Sequence, residues 1–381
     1  MKRLVWILVM VSLLLGLLPV AAQAADLEVE AKSALLMDVA TGTVLFEQNA
    51  HEALPPASVT KVMTMLLIME AIDSGKISWN DTVTVSETAA AKGGSQVYLK
   101  VGETMTVEEM VKSIAVSSAN DCACAMAEHL AGSESAFVEA MNAKAAELGM
   151  KDTQFVNCTG LDDSSDAANH KTSAHDIALM SRELLGKYPD ITRFTTIWMD
   201  SIRSGTFGLA NTNKMVRFYN GCTGLKTGFT QSAGYCLSAS AQRDGLQLIA
   251  VVMGCESSQK RFAACKSMLD YGFANFALVQ PELPENASVP VKLGVQGEVH
   301  AVPAQDGKML IDKGQKNLVT TEMQLEESIT APVSQGQRLG TLTIKAGEQI
   351  LVEIPMIAQS AVEKVSWWQM YLRLLKKACM K

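Results

Sequence analysis

Three short polar motifs follow one another along this chain, Ser58-Val59-Thr60-Lys61, Ser118-Ala119-Asn120 and Lys226-Thr227-Gly228. They restrict the fold more than any other feature. Together they supply a hydroxyl nucleophile, a nearby lysine base, a polar bridge and a cationic strand for an anion, a full set for acyl transfer through a serine ester. The set works only if the chain folds so that all three meet in one cleft.

The residue types fit that chemistry. A serine hydroxyl is a poor nucleophile near neutral pH, and Lys61, one helical turn after Ser58, shares its face and reaches its proton. Lysine acts as a base only when neutral, and burial together with the Lys226 cation disfavours a charged Lys61. Ser118 and Asn120 can then relay a proton to the leaving amine and hold the substrate amide. Each motif alone is weak. Ser257-Ser258-Gln259-Lys260 is a second S-x-x-K and Ser78-Trp79-Asn80 a second S-x-N. The first has no Pro-led apolar helix behind it and reads as a solvated turn; the second reads as the exit turn of a helix.

Around the motifs the pattern is α+β. Ser33 to Asp38 and Thr43 to Phe46 flank Ala40-Thr41-Gly42 and predict a hairpin. Pro55 and Pro56 introduce an apolar run from Val59 to Ile72, placing Ser58 at or near the start of a buried helix. Thr106-Val107-Glu108-Glu109 fits a capping box for a helix to about Val116, so Ser118-Ala119-Asn120 lies in a connector. Further helices are expected over Asp121 to Leu130, Ala136 to Leu148 and Ser173 to Leu185. Lys226-Thr227-Gly228 then precedes two strands, Tyr235 to Ala241 and Leu246 to Met253, joined by an Asp244-Gly245 turn. Phe262 to Phe276 reads as a helix. Beyond Pro281-Glu282-Leu283-Pro284, short β-rich runs (Ser288 to Leu293, Lys308 to Ile311, Gln337 to Ile344, Ile350 to Ile354) predict a small all-β domain.

Both ends carry targeting signals. Lys2 and Arg3, an apolar run from Leu4 to Leu18 and Ala22-Gln23-Ala24 read as a cleaved export signal, the run being short for a membrane span of roughly 20 residues. Cleavage removes two cations and no acids, moving the net charge from −7 to −9 and making nucleic acid an unfavourable partner. At the other end, Ala361, Val365, Trp368, Leu372, Leu375 and Cys379 form one apolar stripe, and residues 360–381 carry a net charge of +4. That pattern predicts a helix lying on an anionic membrane. The expected organisation is a signal over 1–24, a catalytic domain over 25–279, a small β-sandwich-like domain over 280–357 and an anchoring helix over 358–381.

Other chemistries find no support. His51, His129, His170, His175 and His300 have neither a G-x-S-x-G serine nor an H-E-x-x-H spacing and count as surface or structural. Cys122 and Cys124, two apart on an expected helix, do not face each other and read as buried thiols rather than a metal pair. No phosphate loop or dinucleotide fingerprint occurs, so no cofactor or metal is expected.

With these residues in hand, the chain resembles the serine-type D-alanyl-D-alanine carboxypeptidases, the low-molecular-mass penicillin-binding proteins of bacterial cell walls, within the serine β-lactamase superfamily. The resemblance rests on Pro56-Ala57-Ser58-Val59-Thr60-Lys61, Ser117-Ser118-Ala119-Asn120-Asp121, Gly224-Leu225-Lys226-Thr227-Gly228 and Ala233-Gly234-Tyr235, with the β domain and amphipathic tail. It implies a transpeptidase-like fold, peptidoglycan stem peptides as substrate, β-lactams as inhibitors, and residence on the outer face of the cytoplasmic membrane. It also implies that Ser58 attacks the penultimate D-alanine carbonyl, that the Ser58 and Phe229 amides form an oxyanion hole, and that Lys226, Thr227 and Gly228 bind the terminal carboxylate with help from Arg261. The family often has Gly at Ala119, Asp at Thr223 and His at Phe229. A β-lactamase and a non-catalytic wall-binding scaffold are the alternatives.

Overall fold

The computed structural model describes residues 27–163, 165–280 and 287–379, with side chains through 375. The expected export signal and the Pro281 to Pro284 boundary lie outside the described residues.

Strand β1 (Ser33–Asp38) is buried at all six positions. Alternate side chains enter two cores, Leu35 and Met37 one and Ala34 and Leu36 the other. The Asp38 carboxylate closes the turn into β2 (Val44–Gln48) by accepting from the Thr41 amide at 2.8 Å and the Thr41 hydroxyl at 2.6 Å. A 3-10 turn over Ala57–Thr60 then leads into α1 (Lys61–Asp73). Apolar nearly all round, α1 forms the centre of the helical core.

Strand β3 (Thr82–Thr84), α2 (Glu87–Ala90) and β4 (Thr104–Thr106) precede α3 (Val107–Ser117), whose Thr106–Glu109 capping box is formed. Helices α4 (Asn120–Ala131), α5 (Glu134–Glu147) and α6 (Ala174–Lys187) complete the helical layer. A short helix α7 (Thr192–Thr195), the hairpin of β5 (Met199–Ile202) and β6 (Phe207–Ala210), and α8 (Met215–Phe218) carry the chain back to the sheet.

Strands β7 (Cys222–Thr230), β8 (Gly234–Arg243) and β9 (Leu246–Cys255) complete an antiparallel sheet in the order β2-β1-β9-β8-β7. Lys226-Thr227-Gly228 lies inside the edge strand β7, not ahead of a strand as its sequence predicts. Pairing with β8 makes this glycine-rich stretch extended, overriding its weak local propensity. Helix α9 (Ser258–Asn275) covers the second face with Ala264, Cys265, Met268, Leu269 and Phe273. The second S-x-x-K is its N-terminus rather than a solvated turn: the Ser257 hydroxyl caps the Lys260 amide at 3.1 Å, and Lys260 pairs with Glu30 and Glu256.

After β10 (Phe276–Val279) the chain is all β: β11 (Ser288–Lys292), β12 (Glu298–Pro303), β13 (Met309–Asp312), β14 (Val319–Leu325), β15 (Ile329–Thr330), β16 (Arg338–Ala346) and β17 (Gln349–Ala358). Six of them form a sheet in the order β14-β16-β17-β12-β11-β15 over a core of Val289, Val299, Leu339, Leu342, Ile344, Ile354 and Met356. Strand β10 pairs with β13, so a ladder crosses the expected 279/280 boundary. The fold is α+β with a C-terminal all-β domain.

The tail departs from its sequence reading. Helix α10 spans only Trp367–Cys379. The segment before it bridges the β domain at Val333–Val362 and Gly294–Lys364, burying Val362 and Val365, so of the apolar stripe Val365 is buried ahead of the helix while Ala361 is exposed. Among the described residues no helix is long and apolar enough to cross a membrane.

Candidate active site

Ser58 sits in the 3-10 turn after Ala57, whose φ of 49° aims the turn at the edge of the sheet. The backbone is held there from two sides. Gly160, at φ +79°, lies so close that an added Cβ would stand 1.8 Å from the Ala57 carbonyl oxygen; at Gly228 the same atom would stand 2.6 Å from the Pro56 oxygen and 3.1 Å from the Ser58 amide nitrogen. Only glycine permits these approaches. They set β7 directly against the Ser58 amide.

Lys61 opens α1 and is fully buried. Its Nζ donates to Ser58 Oγ at 2.9 Å and to the Thr159 carbonyl at 2.8 Å. Burial pushes its pKa down to about 7, opposed by the nearby Cys158 and Asp121. Lys226, also fully buried, donates to the Thr227 carbonyl at 2.9 Å. Its pKa falls well below the usual lysine range through burial, then through repulsion from Lys61 and Arg261. The sequence assigns part of the Lys61 shift to Lys226. In the structure burial is the largest cause of the Lys61 shift, and the mutual repulsion of the two buried ammonium groups disfavours charging both.

The second motif joins two helices, as its spacing predicts. Ser118 is the left-handed C-cap of α3 at φ 63°, and Asn120 begins α4. The Asn120 amide nitrogen Nδ2 donates to the Gly93 carbonyl at 2.7 Å and its backbone N–H to Ser95 at 2.7 Å, while Oδ1 is buried without a partner. Asp121 holds the same loop by accepting from the Val97 and Leu99 amides at 3.0 and 3.1 Å. A buried acceptor left open is an unsatisfied polar group that a ligand N–H would complete.

Phe229 is half exposed and packs on Tyr235 with ring centroids 4.3 Å apart and planes tilted by 32°. Arg261, on α9, donates from Nη1 to the Gly228 carbonyl at 2.9 Å. In this structure it grips the backbone of the Lys226-Thr227-Gly228 strand from behind.

Of the two readings the sequence allows for His170, surface or structural, the structure shows the second. It is buried, and its pKa is pushed down to about 4 by burial and then by Lys61. The hydrogen bonds fix its tautomer. Nδ1 accepts from the Val156 amide at 3.1 Å, so Nε2–H donates to the Thr60 hydroxyl at 2.8 Å, which donates in turn to the Ala57 carbonyl at 2.8 Å. The chain of bonds ends on the residue before the nucleophile. No histidine spacing motif signals it, because the partners are brought together only by the loop over residues 156–172.

Taken together, the arrangement is a serine hydroxyl bonded to a buried lysine whose pKa is lowered to about 7, with the Lys226-Thr227-Gly228 strand set against the serine's backbone and a buried amide acceptor left open on Asn120. A model of D-alanyl-D-alanine carboxypeptidases matches residues 20–257, and one of the penicillin-binding protein 5 C-terminal domain matches residues 282–364. The chain is 44% identical to the D-alanyl-D-alanine carboxypeptidase DacF of Bacillus subtilis, covering 96% of each, and 34% identical to DacC of Escherichia coli, covering 88% of this chain and 85% of that one. Penicillin binding protein 5 from Haemophilus influenzae superposes with a TM-score of 0.75 at 29% identity, over 88% of this chain and 98% of that one. Penicillin-binding protein D2 from Listeria monocytogenes, solved in an ampicillin-bound form, superposes at 0.59 with 31% identity, over 65% of this chain and 99% of that one.

Proposed function

The chain belongs to the D-alanyl-D-alanine carboxypeptidase family, and we propose that it releases the terminal D-alanine of peptidoglycan stem peptides through an ester on Ser58. The observation that carries this reading is the 2.9 Å contact from Lys61 Nζ to Ser58 Oγ, made by a lysine with its pKa near 7. Neutral Lys61 takes the Ser58 proton as Oγ attacks the carbonyl of the penultimate D-alanine. The oxyanion meets the Ser58 and Phe229 backbone amides, such donors being worth roughly 3 kcal/mol each. The open Oδ1 of Asn120 accepts the substrate amide N–H. Ser118 passes a proton to the leaving amine, and water then cleaves the ester with Lys61 again as base.

Lys226 and Thr227 take the terminal carboxylate. An anion there would raise the depressed pKa of Lys226, so substrate binding itself restores the cation. Arg261 supports this subsite through Gly228. β-Lactams, which present a carboxylate and an acylating carbonyl, would acylate the same serine.

Export and anchoring complete the reading. Residues 1–24 direct secretion, and α10 lies on the anionic outer face of the cytoplasmic membrane, supported by the exposure of Trp367, Trp368, Leu372, Leu374 and Leu375. Arg373 is not available to lipid, since it donates to the Gly294 and Val295 carbonyls at 2.9 and 2.6 Å and docks the helix on the β domain.

The test is D-alanine release from diacetyl-Lys-D-Ala-D-Ala. Wild type should release it with kcat/KM rising through pH 7 as Lys61 loses its proton, benzylpenicillin should block it, and Ser58→Ala should abolish it. Release unaffected by Ser58→Ala would refute the assignment.

A further inference from the structure

We propose that Thr212 is a positioning residue for substrate-carboxylate recognition: its hydroxyl donates to Thr227, turning the Thr227 proton toward the terminal carboxylate. The inference rests on the carboxypeptidase reading and deepens it by assigning a residue outside the three motifs.

Thr212 lies between β6 and α8, in Asn211-Thr212-Asn213. Both flanking asparagines are buried, and their side chains are fully engaged in holding the backbone. Asn211 Nδ2 donates to the Ile197 carbonyl at 2.7 Å while its Oδ1 accepts from the Asn213 amide at 2.8 Å. Asn213 Nδ2 donates to the Gly224 carbonyl on β7 at 3.1 Å while its Oδ1 accepts from the Met215 amide at 3.1 Å. The Thr212 amide itself donates to the Val116 carbonyl at 3.2 Å, in the last turn of α3 just before Ser118. One residue is thereby pinned to the second motif by its backbone and to the strand of the third by its neighbours. Among the described residues its own side chain makes one hydrogen bond, 2.6 Å to Thr227 Oγ1.

Each hydroxyl has one proton and can accept as well. In a pair 2.6 Å apart, one donates and the other accepts. A carboxylate can only accept, so when it binds, the Thr227 proton must go to the anion, and Thr212 must then be the donor within the pair. The result is a relay, Thr212 O–H to Thr227 O–H to carboxylate, in which the first bond polarises the second. Charge-assisted bonds of this kind are the strong ones. Without the Thr212 hydroxyl, Thr227 can still reach the anion, but its rotor is free and its proton less acidic.

The experiment compares diacetyl-Lys-D-Ala-D-Ala with its C-terminal amide, which offers no carboxylate, in wild type, Thr212→Val, Thr212→Ala and Thr212→Ser. Both variants lacking the hydroxyl should raise KM for the acid about fivefold to tenfold, the size of one net hydrogen bond, with kcat within about twofold. The acid-to-amide ratio of kcat/KM should fall by the same factor in both and return in Thr212→Ser. Alanine serves where valine is not accommodated. Equal losses on acid and amide, or a Thr212→Ser enzyme as impaired as Thr212→Ala, would overturn the inference while leaving the carboxypeptidase reading in place. A wild-type protein that releases no D-alanine from the acid contradicts both.

Discussion

At the scale of single residues, burial lowers the pKa of three bases, Lys61, Lys226 and His170. Lys61 was legible in the sequence because its partner Ser58 stands one turn away, a spacing that fixes the contact before any tertiary structure is known. His170 was not. It lies far from Ser58 along the chain and is linked to Ala57 through the Thr60 hydroxyl, so nothing local marks its burial. Its protonation has a defined consequence. The folded pKa of about 4 lies below the ordinary 6.5, so the unfolded chain binds a proton first as pH falls. The stability His170 confers is complete above pH 6.5 and is lost between 6.5 and 4, at up to about 1.4 kcal/mol per pH unit. Lys61, with a folded pKa of about 7 against 10.5, changes stability mainly above that window. Urea denaturation should show stability falling between pH 6.5 and 5 in wild type and a flatter slope in His170→Gln; identical slopes would remove His170 from the account.

At the scale of elements, periodicity revealed what burial alone dictates. The apolar helix α1, the capping box of α3 and the β8–β9 hairpin follow from their own residues. The extent of strand β7 did not, since Cys222-Thr223-Gly224-Leu225-Lys226-Thr227-Gly228 shows no alternation and the sequence places only its motif, ahead of the next strand; pairing with β8 extends it over Cys222–Thr230. The hairpin of β5 and β6, which leads to Thr212, escaped for the same reason. Strand β14 escaped because its mostly exposed Val-Thr-Thr-Glu-Met-Gln-Leu offers no buried alternation. The close approach of β7 to the nucleophile makes Gly228 irreplaceable. A methyl there meets the Pro56 carbonyl at 2.6 Å, so Gly228→Ala should push β7 from Ser58 and slow benzylpenicillin acylation by about 100-fold or more, on the scale of losing an oxyanion donor. Circular dichroism should remain native, since the change is confined to the edge strand. An alanine variant acylated at the wild-type rate would show that the strand is not held where the structure places it.

At the scale of the whole molecule, the tail is where sequence and structure diverge most usefully. A stripe of apolar residues at helical spacing cannot reveal which of them a neighbouring domain will claim. Val362 and Val365 belong to the β domain, and the helix begins at Trp367. Two truncations therefore differ. Ending the chain after Ser366 should abolish sedimentation with anionic vesicles while leaving the melting temperature within about 1 °C, because the exposed helix contributes little core. Ending it after Gln359 should abolish binding and also lower the melting temperature by several degrees, as two buried valines are lost. Vesicle binding that survives removal of 367–381 would assign the membrane contact elsewhere.

The central claim is that Ser58, and not the serine of the second S-x-x-K, forms the ester. Peptide mapping by mass spectrometry after brief benzylpenicillin treatment tests it most directly. The account predicts one penicilloyl group on the peptide containing Ser58 and none in Ser58→Ala; a label on Ser257, or an undiminished label in Ser58→Ala, would contradict it.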